Sequence, residues 1–431
     1  MRIIKASEKM IREENLFDEH IITVVREIIQ EVRLRGDEAL KDYTDKFDGF
    51  RPERITLPRS EWKKAYNSIG LEEKKTMERI KDRLMRFALK QKENFQDFEM
   101  EIEEGVITGQ KIYAIEKAGV YVPGGRYPLV SSVFMGVVPA LAAGVEEIVL
   151  CVPPNKKGEV NSYVLAAAEI CGISKIYTVG GAQAIAALAY RTDEVLCVDK
   201  IVGPGNSYVA AAKKEVFGRV GIDFVAGPSE ILILASEDAA PELVAADLIA
   251  QGEHDPEAVP ILVTLSAQLI DKVETEIEKQ LIQLPTRETV RKSLNNKGLA
   301  VLAKSYKEAV EYINFRAPEH LEIQGKDAEK QAPFLRNYGS LFIGPLSAEV
   351  LGDYSAGINH TLPTAFSPRY TGGLSVKDFL KIQTTLRLRE DGSGTVKTLQ
   401  DAVLIAEMEG LKGHSAAAQI RLNSMKGIEN E

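Results

Sequence analysis

Only five histidines occur in the 431 residues, so the surroundings of each carry information. His20 lies among charged residues and reads as a solvated side chain. The other four stand in polar or glycine-bearing company: Gln251-Gly252-Glu253-His254, Pro318-Glu319-His320, Asn359-His360 shortly after Asp353, and Glu409-Gly410-Leu411-Lys412-Gly413-His414. A single histidine is more often structural than catalytic, but four in such settings point to a shared site. Gln251 and His254, three apart at the end of an expected helix, can project from one face towards one ion. Imidazole and carboxylate are zinc ligands, so His254 and His414 with an acid such as Asp353 would make a nitrogen and oxygen set. Spacing alone does not join residues so distant. Glu319 and His320 are two adjacent proton acceptors, with Pro318 fixing the approach of the chain. An imidazole titrating near neutrality suits removal of an alcohol proton, and a carboxylate suits activation of water. The alternative for this pair is the start of a surface helix.

Other chemistries are disfavoured. Cys151, Cys171 and Cys197 are odd in number and too widely spaced for a CxxC pair, which argues against a disulfide framework or a thiolate metal site. None has a neighbouring histidine to activate it, and Cys151 and Cys171 sit in apolar sequence, so buried structural thiols are expected. Gly203-Pro204-Gly205-Asn206-Ser207-Tyr208 has two glycines at the dinucleotide spacing, but Tyr208 holds the third position, so the standard pyrophosphate fingerprint fails. Such loops can still present backbone N–H groups at helix starts to a nucleotide bound in a nonstandard way.

The elements that must position these groups follow from periodicity. Ile21 to Leu34 and Lys74 to Asn94 show apolar spacings of three and four and predict helices in a charged N-terminal region. From Lys117 the texture changes to short apolar runs, glycine or proline loops and alanine-rich stretches. Ala118 to Val122 leads into Pro123-Gly124-Gly125, Ile176 to Val179 into Gly180-Gly181-Ala182-Gln183, and Lys200 to Val202 into Gly203-Pro204-Gly205-Asn206. Three strand–loop–helix units in succession predict a parallel, doubly wound sheet. A second alternation predicts strands at Ile231 to Ala235 and Val259 to Leu265, with helices at Ala240 to Gln251 and Ala267 to Gln283. A final helical segment spans Val396 to Asn423.

The net charge of −9 and the lack of any lysine- or arginine-dense stretch argue against nucleic acid as a partner. Tyr127 to Val145 is uncharged, but Pro128, Gly136, Pro139 and Gly144 suit close packing inside a domain better than a membrane span. Met1-Arg2-Ile3-Ile4-Lys5 leads into charged sequence and not into an apolar export segment, so a cytoplasmic location is expected.

Together the loops and histidines resemble one family. Ile222-Asp223-Phe224-Val225-Ala226-Gly227-Pro228-Ser229-Glu230 is similar to the signature of the histidinol dehydrogenases. Around it, in the family's order, stand Arg35-Gly36-Asp37-Glu38-Ala39-Leu40, Tyr121-Val122-Pro123-Gly124-Gly125, Gly180-Gly181-Ala182-Gln183-Ala184-Ile185-Ala186-Ala187-Leu188 and Gly203-Pro204-Gly205-Asn206. Ala317-Pro318-Glu319-His320-Leu321, Gly352-Asp353-Tyr354, Asn359-His360-Thr361-Leu362-Pro363-Thr364 and Glu409 with His414 complete the match.

The resemblance implies a zinc-dependent, four-electron oxidation of L-histidinol, through the aldehyde, to L-histidine with reduction of two NAD. It implies zinc on Gln251, His254 and Asp353 of one subunit and on His414 of the other, hence a homodimer with a shared site. NAD would contact Tyr121, Gln183 and Asn206. Substrate would touch Ser229, Glu409, His320 and the metal-site residues, with Glu319 and His320 as proton acceptors and His360 lining the pocket. The implied fold is two Rossmann-like parallel-sheet domains with small helical terminal segments. Their bounds are an N-terminal segment 1–21, a first domain interrupted into 22–118 and 231–374, a nucleotide-contacting domain 119–230, and a C-terminal dimerisation segment 375–431 exchanged between subunits. The rivals are the same machinery acting on another small alcohol, a metal-dependent hydrolase working without NAD, and a nucleotide-binding or structural protein with no chemistry.

Overall fold

The computed structural model describes residues 1–6, 17–124 and 128–428, with side chains as far as 425. Gly125 of the first glycine loop, and Tyr127 at the start of the uncharged run, lie outside the described residues. The chain forms two compact units. The larger comprises Met1–Lys90 and Ile115–Phe379, and the smaller Gln91–Ala114 and Leu380–Glu431.

The larger unit is an α/β structure built on two all-parallel sheets. In the first, the strands run in the order Arg2–Lys5, Leu299–Leu302, Val259–Thr264, Glu230–Ala235, His320–Gln324 and Ser340–Ile343. Its central strand reads Glu-Ile-Leu-Ile-Leu-Ala and is buried throughout, the continuous apolar run expected of a parallel strand covered on both faces. One face carries Ile231, Ile233 and Ala235 against Val244, Ala245 and Leu248 of the helix Pro241–Gly252. The other face carries Leu232, Leu234, Leu321 and Ile323 against Ala309, Tyr312 and Ile313 of the helix Tyr306–Arg316.

The second sheet has the order Lys175–Tyr177, Glu147–Cys151, Lys117–Tyr121, Lys200–Val202 and Gly221–Ile222. Each of the three units read from the sequence is present: strand Lys117–Tyr121 before helix Val130–Ala143, strand Lys175–Tyr177 before helix Gly181–Tyr190, and strand Lys200–Val202 before helix Ser207–Val216. The helix Val130–Ala143 lies directly on the central strand, because a Cβ at Gly136 would come within 2.4 Å of Val120 Cγ1. Eleven of its fourteen residues are buried, which accounts for the uncharged run as core. Among the described residues no helix is long and apolar enough to cross a membrane.

The smaller unit departs from the helical expectation. Residues 375–431, read as helical, include the nine-residue strand Leu380–Leu388, which pairs antiparallel with Val106–Ala114, itself paired with Phe98–Glu103. Phe-Glu-Met-Glu-Ile-Glu at 98–103 alternates with period two, a strand signal that the charged helical run before it obscures. The final helical segment is two helices, Ser393–Met408 and Lys412–Ile428, separated where Gly410 takes a φ of +74°. At the other end, residues 1–21 were also expected as helix. Arg2–Lys5 is instead an edge strand pairing with Leu299–Leu302, and 7–16 lie outside the described residues.

Candidate active site

The strand His320–Gln324 begins with His320, and Glu319 immediately precedes it; both are buried. One backbone residue on the neighbouring strand holds the two. The Glu230 N–H donates to Glu319 Oε2 at 2.8 Å, and His320 Nδ1 lies 2.9 Å from the Glu230 carbonyl oxygen. A carbonyl only accepts, so Nδ1 carries the proton and Nε2 is left as the basic nitrogen. That Nε2 is buried without a hydrogen-bond partner, 3.8 Å from Asp353 Oδ1 and 3.9 Å from Glu349 Oε1. Burial lowers the His320 pKa, opposed by the Asp353 charge, which favours the neutral, proton-accepting ring. Burial raises the Glu319 carboxyl well above its usual range, with the Glu230 N–H pulling the other way. When ionised, it is therefore a stronger base than a solvated carboxylate.

Glu230 is in turn anchored by its own carboxylate, which pairs with Arg316 at 2.9 Å and accepts from Ala365 N at 2.7 Å. The pair Glu319 and His320 is thus not the start of a surface helix.

His254 follows the helix Pro241–Gly252 and stands 3.9 Å from Asp353 Oδ2. His254, Glu349 and Asp353 offer ligand atoms that all lie within 4.8 Å of one another. Gln251, one turn before His254, is fully buried with neither amide atom hydrogen-bonded. Burying a primary amide without partners is costly, so these atoms call for an ion or ligand. The donor set of imidazole, amide oxygen and carboxylate suits a divalent cation such as Zn2+. His360 also has a buried, unpartnered Nε2; burial lowers its pKa, and both Asp353 and His254 act on it.

Glu349 was not singled out from the sequence. It stands four residues before Asp353 on the helix Glu349–Tyr354, so both carboxylates leave the same face. Burial, then the Asp353 charge, holds its carboxyl well above the ordinary range. The Glu-x-x-x-Asp spacing was the available signal, hidden by the shortness of the helix.

Tyr121, Gln183 and Asn206 come from three different strand–helix loops of the second sheet and line one cleft of about 840 Å³. Tyr121 ends its strand, buried, and its hydroxyl accepts from Gly181 N at 3.1 Å. Gln183 is buried with Oε1 unpartnered. Asn206 caps the helix Ser207–Val216, Oδ1 accepting from Tyr208 N and Val209 N at 3.1 Å each, which leaves its amide N–H2 available. A second cleft of about 730 Å³, lined by His254, Tyr354, Met77, Ile80 and Phe134, shares Pro128 with the first. Ser229 is half-buried just before the strand Glu230–Ala235. Glu409 and His414 belong to the smaller unit, where both are exposed at the turn between its last two helices.

A buried imidazole at the end of one parallel sheet, beside the clustered carboxylates of the helix Glu349–Tyr354, with a cleft of about 840 Å³ at the strand ends of another sheet, defines the class as an α/β enzyme. The comparisons make this specific. The family model described as histidinol dehydrogenase matches residues 11–422, and the chain belongs to that family. It is 46% identical over 419 residues to the histidinol dehydrogenase of Aquifex aeolicus, covering 96% of both chains. It is 44% identical over 416 residues to that of Methanocaldococcus jannaschii, again covering 96% of each. The crystal structure of histidinol dehydrogenase from Elizabethkingia anophelis superposes with a TM-score of 0.90 at 32% identity, covering 99% of both chains. Membership carries the family's activity, an NAD-dependent oxidation of histidinol.

Proposed function

We propose that the chain oxidises L-histidinol to L-histidine in two successive hydride transfers, with Glu319 and His320 as proton acceptors and with Zn2+ held by Gln251, His254, Asp353 and His414 of the partner subunit. The observation that carries this reading is the neutral His320 Nε2, unpartnered beside Asp353 and Glu349, with its tautomer fixed by the Glu230 carbonyl. When bound, the ion supplies a Lewis-acid anchor for the substrate's nitrogens and fixes the carbinol carbon.

His320 takes the hydroxyl proton as hydride leaves the carbinol carbon for NAD, giving the aldehyde and NADH. Glu319 takes a proton from a water that adds to the aldehyde carbon while His320 returns its proton to the aldehyde oxygen, giving the hydrate and a neutral ring. A second hydride passes to a second NAD as His320 accepts the hydrate's hydroxyl proton, and the acid is formed. No step needs a thiol, in keeping with the buried Cys151 and Cys171.

In this reading Tyr121, Gln183 and Asn206 contact NAD, and Ser229, Glu409, His320 and the metal ligands contact the substrate. The nucleotide cleft belongs to a domain of 119–230, and the six-stranded sheet to a domain of 22–118 with 231–374. The chain acts as a cytoplasmic homodimer whose C-terminal segment, 375–431, is exchanged so that Glu409 and His414 complete the partner's site. An unpartnered apolar surface supports the dimer. Phe98, Met100, Ile382 and Leu386 share one exposed face of the three-stranded sheet, and Leu404, Ile405, Met408 and Ile420 are exposed on the two helices.

The test is to incubate the purified protein with L-histidinol and NAD and to count NADH formed per histidine made, before chelation, after it, and after zinc is restored. Two NADH per histidine, lost with the metal and recovered with zinc, is the expected result. One NADH, or activity indifferent to chelation, overturns the proposal.

A further inference from the structure

The strand that begins with His320 continues with two more polar residues on the same face. Side chains alternate along a strand, so His320, Glu322 and Gln324 point one way and Leu321 and Ile323 the other. Glu322 is 1% exposed and Gln324 3%. In register they lie beside Ile231, Ile233 and Ala235, against the helix Pro241–Gly252. There they meet Asp247, which precedes Gln251 by one helical turn. Gln324 Nε2 donates to Asp247 Oδ2 at 2.8 Å and to Glu322 Oε2 at 3.1 Å, and Asp247 and Glu322 hydrogen-bond to each other. The remaining oxygen, Glu322 Oε1, accepts from Glu349 N at 2.6 Å, at the first residue of the helix that carries Asp353.

Three elements supply the candidate metal and base residues, and this cluster bonds to all three. Two buried carboxyls are a poor way to gain stability, because well-packed apolar residues of the same volume are commonly neutral or better. What apolar residues cannot do is fix the two helices in register with the strand. Hydrogen bonds behind a metal site set the orientation of its ligands, and losing one typically costs about 10- to 100-fold in metal affinity.

We propose that Glu322, Asp247 and Gln324 are positioning residues for the metal site, tying the helices that present Gln251 and Asp353 to the strand that presents His320. The inference rests on the zinc reading above.

It is tested on the full-length protein, stripped of metal and reloaded with Co2+, by competition against a chromophoric chelator and by the visible d–d absorption of the bound ion. Glu322→Gln keeps the acceptor for Glu349 N and offers Asp247 an N–H donor, and the Gln324 amide, whose Oε1 has no partner, can turn to accept from the new N–H2. It should bind Co2+ within about 3-fold of wild type with an unchanged spectrum. Glu322→Leu should lose about 10- to 100-fold in affinity and show an altered d–d band; it also leaves Glu349 N and the Gln324 amide without their acceptor, so its metal-free melting temperature should fall. Gln324→Met removes only the bridging amide and covers the case in which Glu322→Leu does not fold. It should lose about 10-fold, the lower end of the same range. Wild-type affinity and spectrum in both Glu322→Leu and Gln324→Met would overturn the inference. A wild-type protein that takes up no stoichiometric Co2+ would defeat the zinc reading itself, and this inference with it.

Discussion

Arg316 touches neither Glu319 nor His320, yet its removal should disable both. Its guanidinium ends the helix Tyr306–Arg316, lies 5.0 Å over the Phe366 ring and pairs with Glu230 at 2.9 Å. Arg316 is 13% exposed at its side chain and Glu230 4%. At an effective dielectric constant of about 20, two unit charges at that distance attract by roughly 6 kcal/mol before desolvation is counted. Removing one member of a buried pair leaves the other uncompensated, at a cost of about 3–5 kcal/mol. Glu230 keeps its hydrogen bond from Ala365 N, so Arg316→Met should fall at the lower end, about 3 kcal/mol by urea denaturation. The Glu230 main chain holds the Glu319 carboxylate and the His320 ring, so kcat should drop about 10-fold, the scale of about 1.4 kcal/mol of lost positioning. KM for NAD should be unchanged, because the nucleotide cleft stands on the other sheet. A Glu230→Gln, Arg316→Met double variant should be less damaged than the sum of its parts by at least about 1 kcal/mol. A loss below about 1 kcal/mol in Arg316→Met, with wild-type turnover, would refute the claim that this pair anchors the catalytic strand.

Four further outcomes are expected. The Asp48 carboxyl, half-buried at the edge of the nucleotide cleft, is pushed up to about 6 by burial. A raised carboxyl contributes stability below its unfolded pKa near 4 and loses it as pH climbs through about 6. Asp48→Asn should therefore gain on wild type by about 1–2 kcal/mol between pH 5 and pH 8, after allowance for solvent screening, and parallel melting curves across that range would contradict this. Burial pushes the Cys171 thiol up to about 12 and also raises that of Cys151. A thiol reagent at pH 8 should thus label one cysteine per chain, Cys197, and the other two only after denaturation; fast labelling of more than one would count against the buried assignment. Subunit exchange between inactive His414→Ala and inactive His254→Ala dimers should restore part of the activity, and none despite proven exchange would exclude a site built across the interface. Lys213, buried on the helix Ser207–Val216, pairs with Asp223 and donates to the Gly203 carbonyl; Lys213→Met should therefore raise KM for NAD about 10-fold or more with little change in kcat, and an unchanged KM would rule that role out.

What the sequence made legible divides along physical lines. The strand–loop–helix units from Lys117 onward announced themselves because each strand is a short apolar run closed by glycine or proline, and their observed bounds lie within two residues or so of expectation. The strands of the smaller unit were obscured. Phe98–Glu103 has a period of two, but it follows a 22-residue charged helix and its apolar side faces solvent within the subunit. At the site, histidine scarcity pointed to His254, His320, His360 and His414; the geometry gathers the first three with Asp353, while His414 is exposed in the smaller unit. That scarcity could not reveal Glu349, Glu322 or Asp247: acidic residues are common, Glu349 had only its four-residue spacing from Asp353 to mark it, and burial alone distinguishes the other two. The roles of Glu230 and Arg316 were equally hidden, because Glu230 acts through its main chain and Arg316 through Glu230.

In the proposed reading the loop at Gly203 meets a nucleotide although the usual fingerprint fails, and its bonding shows how that is possible. Glycines in the usual motif let the backbone turn tightly and approach the ligand. Here Gly203 keeps that freedom, with a φ of +117° and a Cβ position only 2.2 Å from the Tyr121 carbonyl oxygen, so no side chain fits. Tyr208 stands where a third glycine would give close helix packing, and the helix Ser207–Val216 starts instead under an Asn206 cap. Rigidity comes from below. Lys213, 3% exposed, donates to the Gly203 carbonyl at 3.0 Å, while Asp223 accepts from the Gly203 N–H at 2.9 Å, and the two form an ion pair with each other. Each polar group of Gly203 is thus bonded to one member of a buried ion pair, which locks the peptide in place. The loop can then present the Asn206 amide and the helix start without the consecutive close turns that the glycine-rich motif requires. The Asp223 of the signature segment therefore has a physical reason to precede Ser229 and Glu230 by a few residues: one end of that segment braces the nucleotide loop on the five-stranded sheet, and the other enters the strand that holds Glu319 and His320 on the six-stranded one.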